Sequence, residues 1–121
     1  MIKIYGIKNC NSMKKAFVFL DNLGIKYEFV DFKKCVISKE FVEKIINLRS
    51  IESVVNTKGT TFRKLKDFGL FGDLSGVNAE IIASNPALIK RPLIVKFSKD
   101  CNLDSIESVF IGLNEMEKLK A

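Results

Sequence analysis

The 121-residue chain carries three cysteines, Cys10, Cys35 and Cys101, and no histidine. Those two facts decide what chemistry is open to it. Without imidazole there is no Ser-His or Cys-His nucleophile pair, no His-ligated zinc and no haem held through His. The cysteines form no Cys-x-x-Cys pair and no ligand cluster, so neither a metal nor a bound cofactor is expected. What remains is thiolate chemistry supported by lysine, arginine or backbone amides. Cys10 is the best placed for it, standing at a strand-to-helix junction beside Lys8, Lys14 and Lys15. A helix N-terminus presents unpaired N–H groups and the positive end of the macrodipole, and both favour an anion there. The same position would also suit a small buried apolar residue, the ordinary state of an unpaired cysteine.

A second candidate is Arg91-Pro92, just ahead of the apolar run Leu93-Ile94-Val95. A cis bond would turn the strand end toward the Cys10 loop and present Arg91 to an anionic group. Taken alone, however, the proline reads as trans punctuation, since X-Pro bonds in folded proteins are cis in only about 5–6% of cases.

The elements that must position these residues can be read from period and punctuation. Ile2 and Ile4 alternate with Lys3 and Tyr5, a short strand ended by Gly6. Met13, Ala16, Phe17, Leu20 and Leu23 fall at helical spacing over 12–23, with Gly24 as the stop. Tyr27, Phe29 and Val30 make a second strand into Asp31, completing a βαβ unit whose crossover should be right-handed. Ser38 reads as the N-cap of a helix with the stripe Phe41, Val42, Ile45 and Ile46. A short segment at 51–55 leads to the turn Asn56-Thr57-Lys58-Gly59, with Thr60 or Thr61 expected to cap the helix that follows. Gly69, Gly72 and Gly76 mark a loop before a short helix over 78–84. Beyond the strand opened by Pro92, a polar turn at 99–102 precedes a fourth strand, 108–111, ended by Gly112. Asn114 with Glu117 then resembles a capping box opening a C-terminal helix. The length is that of a single domain over 1–121, α/β in class, with a small mixed sheet.

Four segments together resemble the arsenate reductase/Spx (ArsC-like) family. They are Tyr5-Gly6-Ile7-Lys8-Asn9-Cys10-Asn11-Ser12-Met13-Lys14-Lys15-Ala16, then 56–65, then Asn85-Pro86-Ala87-Leu88-Ile89-Lys90-Arg91-Pro92-Leu93, and 109–113. The resemblance implies a thioredoxin-like fold whose βαβ and ββα halves flank a helical insertion, here about 36–85. It also implies a cis bond at Pro92. Within the family, glutaredoxin-coupled arsenate reductases hold the nucleophile in a Cys-Gly-Thr-Ser-Arg loop and bind oxyanion with three arginines. Here the loop reads Cys10-Asn11-Ser12-Met13-Lys14, and only Arg91 has a clear counterpart. The other two arginine positions fall near Asn56 and Gly112, with Lys58 and Arg63 the nearest cations to the first. A lysine offers a point charge without the planar fork that grips a tetrahedral oxyanion. Spx-type regulators, which bind the RNA polymerase alpha subunit, typically carry a Cys-x-x-Cys switch, and here its second position is Met13.

The loop looks most like the Spx/YffB-type branch proposed to act as glutathione-dependent thiol reductases. That resemblance implies a monothiol mechanism with Cys10 as nucleophile and glutathione as co-substrate. Lys8, Asn9, Asn11, Ser12, Lys14, Arg91 and Pro92 would form the anion- and thiol-binding surround. Arsenate reduction, with glutaredoxin as a partner, and Spx-like binding to RNA polymerase are the alternatives. Cys35 and Cys101 read as incidental, Cys101 lying in a hairpin turn expected at the far end of the sheet from Cys10.

Twenty Lys+Arg against fourteen Asp+Glu give a net charge of +6. The lysines are scattered and no aromatic residues interleave with a basic stripe, so nucleic acid is not the expected partner. Unpaired cysteines, no signal-like N-terminal pattern and no apolar run near about 18 residues predict a cytoplasmic protein with no membrane partner.

Overall fold

The structure is a computed structural model and describes residues 1–100 and 102–120. Cys101, and with it part of the expected polar turn, lies outside the described residues. The chain divides into two compact units, one made of Met1–Cys35 with Arg91–Ala121 and the other of Val36–Lys90.

The first unit is built on a four-stranded sheet of order β2-β1-β3-β4. Its strands are β1 (Ile2–Gly6), β2 (Glu28–Asp31), β3 (Leu93–Phe97) and β4 (Ile106–Ile111). β1 and β2 run parallel, joined by helix α1 (Asn11–Asn22), while β3 and β4 are antiparallel to their neighbours. This mixed sheet, βαβ followed by ββα, is the thioredoxin-like arrangement that the family resemblance implies. Leu93, Ile94 and Val95 are wholly buried, which a strand rich in β-branched residues in the middle of a sheet requires. Ile4, Met13, Ala16, Leu20, Ile94 and Met116 form one core cluster, so α1 and the C-terminal segment both lie on the Ile4/Ile94 side of the sheet. The bond Arg91–Pro92 is cis, as the resemblance implies and against the reading of the proline alone.

The second unit is helical. Helix α2 (Lys39–Leu48) is capped by the Ser38 side chain, which accepts from Phe41 N–H at 3.0 Å. It packs against α5 (Ala79–Ser84), whose N-cap Asn78 accepts from Ile81 N–H. Between them lie α3 (Ile51–Val54) and α4 (Thr60–Asp67). An isolated bridge ties Val55, just after α3, to Ile89 near the end of the unit, reinforced by Asn56 N–H to Leu88 O at 2.8 Å.

Three expectations need correction. The N-cap of α4 is Gly59, not Thr60 or Thr61, and no side chain caps that helix. Gly59 is already extended and its carbonyl accepts from Arg63 N–H, so the helix starts one residue before the threonines could cap it. The C-terminal helix is 3₁₀ and spans Leu113–Lys120, so Asn114 lies inside it; Glu115 accepts from Ile111 N–H at 3.0 Å instead of any box closing on Glu117. β4 begins at Ile106, two residues before the expected start, with a register shift at Lys96/Phe97. No helix among the described residues is long and apolar enough to cross a membrane.

Met13 is fully buried in the first turn of α1, so its truncation leaves a cavity directly beneath the Cys10 loop. Met13→Ala is expected to destabilise the protein by about 2–5 kcal/mol in denaturant unfolding.

Candidate functional site

The strand register gathers one set of chain ends. Gly6 at the end of β1 lies opposite Asp31 at the end of β2, and Phe32 N–H extends the pairing to Gly6 O at 2.8 Å. On the other side Tyr5 lies opposite Leu93, and Leu93 opposite Ile111. The loop carrying Cys10, the turn after β2 with Cys35, the Arg91–Pro92 step and Gly112 therefore all emerge at one end of the sheet. Gly112 N–H donates to Pro92 O at 2.9 Å, fastening the last two of these to one another.

The Cys10 loop is short because α1 begins at once. A Cβ on Gly6 would fall 2.5 Å from the Met13 Sδ and 2.7 Å from its Cε. Glycine lets the Met13 side chain lie against the strand end, where a larger residue would oblige it to move. Cys10 is the N-cap of α1, with φ −142° and ψ 130°, and its carbonyl accepts from Lys14 N–H at 3.0 Å. Its side chain makes no capping hydrogen bond, and no acidic residue stands in the first turn. The thiol is free and half-buried, packed against the core cluster. Cys10 thus stands at a helix N-terminus whose first-turn amides have no side-chain cap, with Lys14 and Lys15 near the start of the helix and no acidic residue in its first turn.

Of the other expected site residues, Lys8, Asn9, Asn11 and Lys14 are exposed, and Ser12 is half-buried. Pro92 is buried and Arg91 half-buried. Arg91 has no hydrogen bond or ion pair among the described residues, which leaves its guanidinium available. Lys58 and Arg63 are exposed in the unit Val36–Lys90. Asn56 is absorbed by its own turn, its Oδ1 accepting from Lys58 N–H at 3.2 Å. Gly112 has φ +85°. Cys35, expected to be incidental, is an exposed free thiol at the Cys10 end of the sheet and lines a cleft with Lys8. The signal for it was positional: Cys10 and Cys35 each follow, by the same offset, a member of the Gly6–Asp31 pair. Among the described residues no group of three or more Cys, Asp or Glu is placed to hold a metal ion.

A family model described as the ArsC family matches residues 5–117. A protein of Haemophilus influenzae, described as uncharacterised, is 33% identical over 118 residues, 97% of this chain and 95% of its own length. The global transcriptional regulator Spx of Listeria innocua is 26% identical over 101 residues, 78% of this chain and 73% of its own. Among solved structures, a YFFB protein superposes over the whole of both chains with a TM-score of 0.80 and 28% identity. A possible arsenate reductase of Streptococcus mutans covers 100% of this chain and 98% of its own, with a TM-score of 0.76 and 27% identity.

The charge around Cys10 has a direct readout. Cys10 is expected to favour anionic iodoacetate over neutral iodoacetamide more strongly than free glutathione does, because local positive charge concentrates the anion. Arg91→Met should reduce that preference by about threefold, and high salt should erase most of it. Equal preference in Cys10 and glutathione would show the field to be absent.

Proposed function

The chain belongs to the ArsC family, and on that premise we propose that it is a glutathione-dependent monothiol oxidoreductase with Cys10 as its nucleophile. The observation that carries this reading is the state of Cys10 itself. It is a free, half-buried N-cap thiol with no hydrogen bond of its own in the cap, at the sheet end it shares with the unpartnered Arg91. The family supplies the coarser statement, thiol-based oxidoreductase chemistry; the reductant and the mechanism are the proposal.

The Cys10 thiolate attacks the glutathionyl sulfur of a mixed disulfide, RS–SG. A Cys10–SG bond forms as the S–S bond of the substrate breaks, and RS⁻ leaves and takes a proton. A second glutathione thiolate then attacks the glutathionyl sulfur on Cys10, giving GS–SG and restoring the Cys10 thiolate. In sum RS–SG is reduced to RSH by two electrons and glutathione is oxidised. The first-turn amides of α1 and the loop lysines, Lys8 and Lys14, stabilise negative charge on sulfur in both steps. Arg91 holds a carboxylate of glutathione, and Asn9, Asn11, Ser12 and Pro92 shape the surround. Such a cycle belongs in a reducing compartment, the cytoplasm.

Arsenate reduction is the weaker reading. By the family resemblance, two of the three oxyanion arginines have no counterpart: their positions fall near Asn56, which is engaged in its own turn, and at or near Gly112. The likeness to Spx favours a second reading, a regulator that binds RNA polymerase without turnover, for which Cys10 would be dispensable.

Treatment with glutathione disulfide followed by mass spectrometry should place one glutathione on Cys10. Reduction of a glutathionylated peptide should fall by at least about a thousandfold in Cys10→Ser, as for loss of a covalent nucleophile. The absence of any adduct on Cys10 would overturn the mechanism. Retention of RNA polymerase in a pull-down with Cys10→Ser, without turnover by the wild type, would establish the regulator instead.

A further inference from the structure

A cleft of about 250 Å³ beside the Cys10 loop brings together charges of both signs, a thiol and an aromatic ring. It is lined by Lys8 from the loop between β1 and α1, Phe29 and Asp31 of β2, and Lys34 and Cys35 of the turn that follows. That turn is fixed by its backbone. Asp31 O accepts from Lys34 N–H at 3.0 Å and from Cys35 N–H at 2.9 Å, and Asp31 Oδ1 accepts from Lys33 N–H at 2.9 Å. One oxygen of the carboxylate is thus engaged locally and the other has no hydrogen bond. Lys8 and Lys34 have no ion-pair partner among the described residues.

Two ammonium groups and one carboxylate around a small cleft discriminate between ligand classes. A simple oxyanion would gain from the lysines and be repelled by Asp31. A group carrying its own carboxylate and ammonium satisfies all three, and Phe29 offers apolar surface to a short methylene stem. The volume lies below the about 300–1,000 Å³ of sites that enclose whole drug-sized ligands, so the cleft suits one end of a molecule.

We propose that this cleft is the subsite for the amino-acid end of a small peptide thiol, its carboxylate between Lys8 and Lys34 and its ammonium on Asp31. The inference rests on the thiol-exchange reading above and deepens it: the γ-glutamyl end of glutathione is the chemical class required. Lys8, two residues from Cys10, joins the subsite to the reacting sulfur, and Cys35 in the wall is a built-in reporter of occupancy.

S-Methylglutathione, which cannot exchange, is the probe. Iodoacetamide labelling of wild-type protein, resolved by peptide mass spectrometry, should show Cys35 protected as the probe is added. Lys34→Gln and Asp31→Asn should each raise the half-protecting concentration by about two- to fivefold, the range for partly exposed charge pairs. An otherwise identical probe lacking the α-ammonium should protect Cys35 less well in the wild type. Unchanged labelling of Cys35 overturns the subsite even where Cys10 is protected. Equal protection by the two probes also overturns it. Failure of Cys10 to take glutathione, by contrast, removes the thiol-exchange reading and is scored on a different residue.

Discussion

The site depends on the close approach of a methionine to a glycine. Met13 lies close over the end of β1 where Gly6 has no Cβ, within the first turn of α1. Since Cys10 is the residue immediately before the helix, the packing of Met13 determines the height of the thiol above the sheet. Overpacking at such a point costs typically about 1–3 kcal/mol, and relief would come by lifting the first turn. The core cluster of Ile4, Ala16, Leu20, Ile94 and Met116 holds the helix down behind it. Hydrophobic burial here is geometric as well as energetic, because it holds in place the helix whose N-cap is Cys10.

Met13 also occupies the position where a Cys-x-x-Cys loop would carry its second thiol. It is wholly buried, so this chain has spent that position on the core and not on a second redox group. A mixed disulfide formed at Cys10 would have no second thiol at that spacing to resolve it.

Much of this was legible in the residues, for identifiable reasons. The switch from the alternation of Ile2 and Ile4 to the helical spacing of Met13, Ala16 and Leu20 locates Cys10 at the junction without any tertiary information. Ser38 and Asn78 declare their helices because their side chains have a defined job at an N-cap. The failures lie where backbone geometry overrides side-chain preference. Gly59 adopts the cap conformation ahead of two better capping residues. Gly112 turns the chain so early that Asn114 falls inside the 3₁₀ helix. The place of Cys35 depends on which strands pair and in what register, a long-range fact that local sequence does not carry. The cis state of Arg91–Pro92 was visible only through family resemblance.

The left-handed backbone of Gly112 bears on what this scaffold can become. The family resemblance implies that one of the oxyanion-binding arginines of arsenate reductases falls at or near this position. Here its φ of +85° is combined with an N–H that holds the Pro92 carbonyl. A side chain in that conformation is strained by about 1–2 kcal/mol before it reaches any ligand. The three-arginine site is therefore not one mutation away. A laboratory path toward it would have to relieve the positive φ at the end of β4, a main-chain change as well as a side-chain one.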